Sequence, residues 1–508
     1  MHRTTHLMSC SAIGAFMLAA PVSADITPQQ VWDDLEAYMS GFGYAVSGAE
    51  QASGDALTIS DFVLSMDLPE GEGNFSFAAD KIVLTQMDDG SVSVVFPAEM
   101  PITLTARPED AKPVDMVVNY TQNGLDMVVS GTPGDMVYDY NADTLGMVLS
   151  ELVVDGAPLS RDMARFDVTM NDVEGKSTIT LGDMREVSQV MSMGSVAYDF
   201  AFNNPDGAGN GLFSGRMADL SIDGSVKVPL EIDPEDPAAM LAQGFAFDGA
   251  FAHSGGSMQF GVTEAGKTTS GQTSTESSNF RMAMSSEAMT YDVSSLGVTL
   301  DMKTPDFPFP VSAKMAENRT NLTLPMAAAD EPQDMAIGMT LGGFTMSDVL
   351  WNLFDPARTL PRDPATISVD LVGTVTPFVN MFDPEAVALL EQTGGVPGEL
   401  NTLTLKELIV EAVGARLTGT GDFSFDNSDL VTFDGMPAPD GSVSFSLTGG
   451  NALIDRLIAM GVLKEQDAMG ARMMMSMFSV PGDGEDSLKS DIVVKGNGQI
   501  LANGQRIR

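Results

Sequence analysis

The feature that most constrains this chain is a period-two alternation that recurs, segment after segment, at intervals of about 8–15 residues. Apolar residues at every second position give a strand one apolar and one polar face. Many such strands in succession, with no helices between them, join as antiparallel neighbours through short turns. Ser91–Val94 follows an Asp89-Gly90 turn. Asp115–Tyr120 and Leu125–Ser130 flank Gln122-Asn123-Gly124, and Asn-Gly is a strong hairpin signal. Asp135–Tyr140 and Thr144–Val153 continue the series. Further strands are expected at 164–171, 176–181, 196–202, 219–228, 245–252, 279–284, 289–301 and 366–374. The Thr/Ser/Gly-rich run Gly266–Ser278 reads as an exposed loop.

Helical signals are fewer. Thr27 caps a helix with Pro28 in its first position and Val31, Trp32, Leu35 and Met39 as its stripe. Asp236-Pro237 opens a single turn before Gly244, Ser347–Phe354 is a short helix holding Trp351, and Asp383-Pro384 starts another that ends near Gly394. The C-terminal hundred residues carry the most definite pattern. Ala415–Phe425 alternates, and Val443, Phe445 and Leu447 line the next strand. Asn451 caps a helix with Leu453, Ile454, Leu457 and Ile458 on one side. A second helix, from about Lys464 to Phe478, places Met469, Met473, Met474, Met477 and Phe478 on one stripe, read as core packing. A hairpin of Ser490–Lys495 and Gln499–Ala502 closes the chain. The expected fold is mainly β: an extended antiparallel meander sheet with a C-terminal α+β cap of two amphipathic helices and a terminal hairpin. Helix content rises after 340, so a boundary is set there, dividing 25–340 from 341–508.

Residues 1–24 have the form of a secretory signal peptide. Arg3 precedes the apolar run Ala12–Ala20, and Val22-Ser23-Ala24 gives a small-residue cleavage pattern. Cleavage after Ala24 removes Arg3, Cys10, His2 and His6. The expected mature chain is periplasmic, Cys-free and without a transmembrane segment, with His253 as its one histidine.

Charge excludes other functions. The chain has 70 Asp and Glu against 26 Lys and Arg, a formal net charge of −44, or −45 once Arg3 is removed. Such a polyanion does not hold a nucleic-acid backbone, whose binding depends on Lys and Arg displacing counterions. No Cys pair exists to bridge and no Cys/His cluster to ligate zinc. The acidity reads as solubility for a large β surface.

Candidate chemistry is sparse. Any Ser–His–acid triad must use His253, in Phe251-Ala252-His253-Ser254-Gly255-Gly256, and no nucleophile elbow lies beside it. Glu231–Asp236, Asp426–Asp429 and Asp483–Asp486 are oxygen-rich turns, but none has the spacing of a calcium loop. Met473-Met474-Met475 offers soft thioethers, yet at helical spacing. Accordingly no catalytic, cofactor or metal residues are assigned. The abundance of Met, 36 in all, points toward a pliable apolar surface.

Several runs near the C-terminus carry a family resemblance. They are Leu403-Thr404-Leu405-Lys406, Leu417–Phe423, Gly449–Asp455, Gly470–Met475 and Leu501–Gln505. Together they resemble the proteobacterial family of domain of unknown function 2125, with specific motifs over roughly 400–508 and only strand-rich style elsewhere. That resemblance implies an envelope protein of uncharacterised function and supplies no catalytic residues. More distantly, the meander is similar to AsmA-like envelope proteins, which are associated with lipid movement and typically keep an N-terminal anchor that this chain is expected to lose. Three functions are carried forward: a non-enzymatic envelope protein binding lipid or another apolar ligand on a concave sheet face; a structural protein with envelope partners and no ligand cavity; and a hydrolase using His253.

Overall fold

The computed structural model describes residues 26–41, 43–68, 71–108, 111–204, 209–230 and 237–508. The expected signal segment and the acidic run 231–236 lie outside the described residues. Helix α1 (Pro28–Gly41) starts with a reciprocal cap. Thr27 Oγ1 accepts from the Gln30 N–H at 3.3 Å, and Gln30 Oε1 accepts from the Thr27 N–H at 3.0 Å. Its buried Val31 and Trp32 join Ile26, Leu57, Ile59, Phe62, Leu84, Val92 and Met136 in a compact core under the first strands.

Those strands are β1 (Ala45–Ser53), β2 (Ala56–Asp67), β3 (Gly73–Gln86), β4 (Val92–Val95), β5 (Glu99–Ala106), β6 (Val114–Asn123), β7 (Asp126–Thr132) and β8 (Asp135–Val154). The short β9 (Ala157–Pro158) folds back on the end of β8. A meander follows: β10 (Ala164–Leu181), β11 (Met184–Asn203), β12 (Gly209–Pro229), β13 (Ala246–Glu264), β14 (Lys267–Met284), β15 (Ala288–Lys303), β16 (Val311–Pro325) and β17 (Gln333–Met346). It continues through β18 (Ala365–Pro377), β19 (Gly398–Ala412), β20 (Ala415–Asp426) and β21 (Ala438–Thr448), then β22 (Val480–Pro481), β23 (Ser487–Val494), β24 (Ile500–Ala502) and β25 (Gln505–Arg506). Helices α2 (Pro237–Ala242), α3 (Asp348–Phe354), α4 (Pro384–Thr393), α5 (Gly450–Ala459) and α6 (Glu465–Phe478) sit between strands. All the strands belong to one antiparallel sheet, whose extensive contacts run between ladder neighbours. The ladder passes through position 340 within β17, which pairs with β16 and β18. No described helix is long and apolar enough to cross a membrane.

Several local expectations are corrected. Gln122-Asn123-Gly124 is not a hairpin. β6 and β7 run collinearly along β8, with Asn123 opposite Thr144 and Asp126 opposite Asn141, so Gly124 (φ 68°) kinks one continuous line of strand that pairs on its other side with β5 and β4. The expected loop Gly266–Ser278 is most of β14. Its Ser and Thr hydroxyls satisfy one another across the ladder, as in Ser274–Thr299 at 2.7 Å and Ser278–Ser295 at 2.8 Å. Asn451 lies inside α5 rather than at its cap; Asp486, on the distant turn before β23, accepts from the backbone N–H of Asn451 at 3.0 Å and of Ala452 at 2.8 Å. Finally, the Met stripe of α6 faces solvent. Met469, Met473, Met474 and Met477 are 60–72% exposed, while Ala468 is buried on the opposite side.

The strands expected at 164–171, 196–202, 219–228, 245–252 and 279–284 are each half of a longer one. Asp61, Gly124, Asp172, Asp219, Gly255, Gly297 and Gly343 all have positive φ, between 47° and 79°. They lie at matching levels of the ladder. Asp172 falls opposite Gly194 and Asp143, and Asp219 opposite the same Gly194. A Cβ on Gly297 would meet Glu276, and one on Gly343 would meet Ala316. These left-handed positions of the crease are held by Gly and Asp, because left-handed backbone is costly for residues with bulkier side chains. At each crossing the alternation slips by one residue, so the inward set of β11 runs Met191, Met193, then Val196, Tyr198, Phe200. The sequence pattern breaks there although the strand does not.

Candidate apolar binding face

The register places apolar residues of successive strands directly opposite one another. One row reads Met191, Ile222, Phe251, Phe280, Val293, Thr320, Met339, Val369 and Leu408. A second, two residues along, reads Met282, Tyr291, Leu322, Ile337, Leu371, Leu405, Gly421, Val443 and Ile492. Beyond the crease lie Phe200, Phe213, Phe260, Gly271, Met302 and Val311. None of the residues in these three rows is charged. Charges sit on the opposite face, where Asp248 pairs with Arg281 at 2.5 Å and Asp292 with Arg319 at 3.5 Å. Hollows of about 680 Å³ also belong to that charged side, one lined by Arg165, Asp199, Gln259, Gln272 and Asp301.

The apolar face is only half covered. Phe280, Tyr291, Ile337, Met339 and Ile367 keep 36–44% of their surface exposed. Part of the remainder is hidden within the sheet itself, where rings lie over facing glycines. Tyr198 covers Gly215 and Phe260 covers Gly271, with a Cβ at those positions falling 2.5–2.8 Å from the ring atoms. Toward β8–β12 the face closes over a second core of Ala142, Leu145, Val173, Met193, Val196 and Leu220. Its lower end carries α1, held by Arg185 on β11. The guanidinium donates to both Asp34 oxygens, at 2.8 and 2.5 Å, and stacks 4.2 Å from the Tyr38 ring centroid. Both side chains of this pair are less than 10% exposed. Nearby, burial pushes the Tyr138 hydroxyl up to about 12, with the Asp34 charge adding to the shift.

His253 lies on the apolar face, in a short polar row with Ser278, Ser295 and Asn318. Burial lowers its pKa below the ordinary imidazole value. Its Nδ1 is buried without a hydrogen-bond partner, so the nitrogen to which a triad's carboxylate would bond is unpaired. Ser254 is committed to Asp219, at 2.5 Å. The acidic turns hold their own backbone. Asp426 accepts from the Ser428 N–H, and Asp429 from those of Val431 and Thr432, each at 3.0 Å. Asp483 pairs with Lys489, and Asp486 caps α5. Among the described residues, no three His, Cys, Asp or Glu side chains converge as a metal site. The apolar face itself was foreshadowed by alternation and Met content; the polar row was not, because its members come from four strands whose register the sequence does not state.

The family model described as uncharacterized protein conserved in bacteria (DUF2125) matches residues 147–503. No curated protein and no solved structure matches the chain.

Proposed function

We propose a binding function for this chain, which belongs to the family described as uncharacterized protein conserved in bacteria (DUF2125): a non-enzymatic envelope protein that holds lipid or another apolar ligand on its apolar sheet face. One observation carries the reading. The rows through Phe280 and Ile337 are uncharged over nine strands and remain more than one-third exposed at several members. Soluble chains rarely leave contiguous apolar surface of that extent without an occupant. Met at 191, 282, 302 and 339 gives the face a deformable lining suited to varied chains. Export rests on the signal-like residues 1–24, and the AsmA-like comparison rests on architecture alone. Native mass spectrometry with lipid extraction of the purified protein tests it. Co-purifying lipid is expected, and its absence from protein prepared without detergent counts against the proposal.

The exposed Met469, Met473, Met474 and Met477 favour a second reading, in which α6 is a contact for an envelope protein. A stoichiometric partner lost on Met473→Glu would support it.

A further inference from the structure

The four polar residues crossing the apolar face define what part of a ligand could sit there. His253, Ser278, Ser295 and Asn318 are directly opposed on β13, β14, β15 and β16. At the usual strand spacing they form a row about 14 Å long. Thr275 and Thr320 flank it; on β14 hydroxyls continue beyond the crease at Thr273 and Thr269, whereas on β13, β15 and β16 the other residues on this face are mostly apolar. On β15 this face runs Met289, Tyr291, Val293 to one side of Ser295 and Val298, Leu300, Met302 to the other, roughly 20 Å of apolar strand each way. The row contains hydroxyls, an amide and one imidazole, and neither a carboxylate nor a permanent cation. Arg281, Lys314 and Arg319 of these strands alternate to the opposite face, two of them in ion pairs, and the remaining cations, Lys267 and Lys303, lie at the far ends of β14 and β15.

Resting on the apolar-face reading, we propose that this row recognises the uncharged linkage of an amphipathic lipid. Ester or amide groups hydrogen-bond to Ser278, Ser295 and Asn318, and the acyl chains lie along the strands on either side. Neutral donors and acceptors satisfy a carbonyl, which would otherwise be desolvated on this face unpaired. A phosphate placed in the row would find no fixed cation while the protein's net charge of −44 opposes it. The preferred ligand therefore keeps net negative charge off the face.

Fluorescence titration distinguishes the cases, using one pyrene-labelled chain type in three probes: a diacylglycerol, its dialkyl hydrocarbon analogue and a phosphatidylglycerol. The diacylglycerol is expected to bind roughly tenfold tighter than either of the others. Ser295→Ala with Asn318→Leu is expected to remove that margin over the hydrocarbon while leaving hydrocarbon binding unchanged. The single variant Ser278→Val, which suits strand backbone, provides the same readout if the double variant folds poorly. Equal affinity for diacylglycerol and hydrocarbon, a margin that survives Ser278→Val, or preference for phosphatidylglycerol overturns the assignment of the row while leaving the apolar face as a binding surface. Failure of all three probes to bind removes both.

Discussion

The Tyr140 hydroxyl on β8 accepts a hydrogen bond from the Gln189 amide on β11 at 2.8 Å, reaching over Gly175 of the intervening β10. A Cβ on Gly175 would fall 2.2 Å from Tyr140 Cζ. The glycine thus opens a slot in which an aromatic ring lies flat on its own sheet. Gly175→Ala is expected to lift the ring, break the hydrogen bond and cost about 1–3 kcal/mol in denaturant unfolding. Gly261→Ala, with open space around the added methyl, should fall within about 0.5 kcal/mol of the parent.

Asp34 and Arg185 anchor α1 across 151 residues of sequence. Asp34→Ala leaves a buried guanidinium without its carboxylate and should destabilise by about 3–5 kcal/mol. Asp34→Leu combined with Arg185→Met should recover most of that loss, since apolar replacement removes both desolvation costs. Thermal unfolding of the two variants reads the difference directly.

Asp486 contributes a pH-dependent cap to α5. Burial acts to raise its pKa, but the backbone N–H groups of Ala452 and Asn451 outweigh it, and the net shift is downward. The depressed value means that the cap's stabilisation is complete above the unfolded carboxylate range, near 3.9, and is lost as pH falls through the lower folded value. Asp486→Ala should cost about 1 kcal/mol at pH 7 and give a shallower fall in Tm between pH 5 and pH 2 than the parent.

His253 changes stability in the same direction but in a higher pH window: burial sets its folded pKa below that of the unfolded chain, so the unfolded state takes up the proton first. Stability attributable to this residue is complete above about pH 6.5 and declines as pH falls below it. His253→Gln should flatten the Tm profile between pH 7 and pH 5, while a profile unchanged by the substitution would contradict the burial argument.

Much of the meander was legible in the alternation, because the faces of a strand repeat every two residues whatever surrounds it. The crease was not. Asp172 and Asp219 interrupt the pattern in the way that turn residues do, and their αL backbone inside a continuous ladder depends on neighbours such as Gly194 that only the register supplies. The Met stripe of α6 was misassigned for a related reason. Helical spacing puts Met469, Met473 and Met477 together, yet it does not say whether the rest of the protein lies on their side or on that of Ala468. Nor does alternation tell a covered apolar face from an open one.

The most direct test of the apolar face is binding of a pyrene-labelled acyl chain to a protein carrying Ile337→Glu and Met339→Glu, compared with one carrying Gly338→Ser and Thr340→Glu on the charged side of the same strand. With circular dichroism confirming that both retain their sheet, the account requires binding to fall at least tenfold in the first and to persist in the second. Equal binding by the two variants would contradict it.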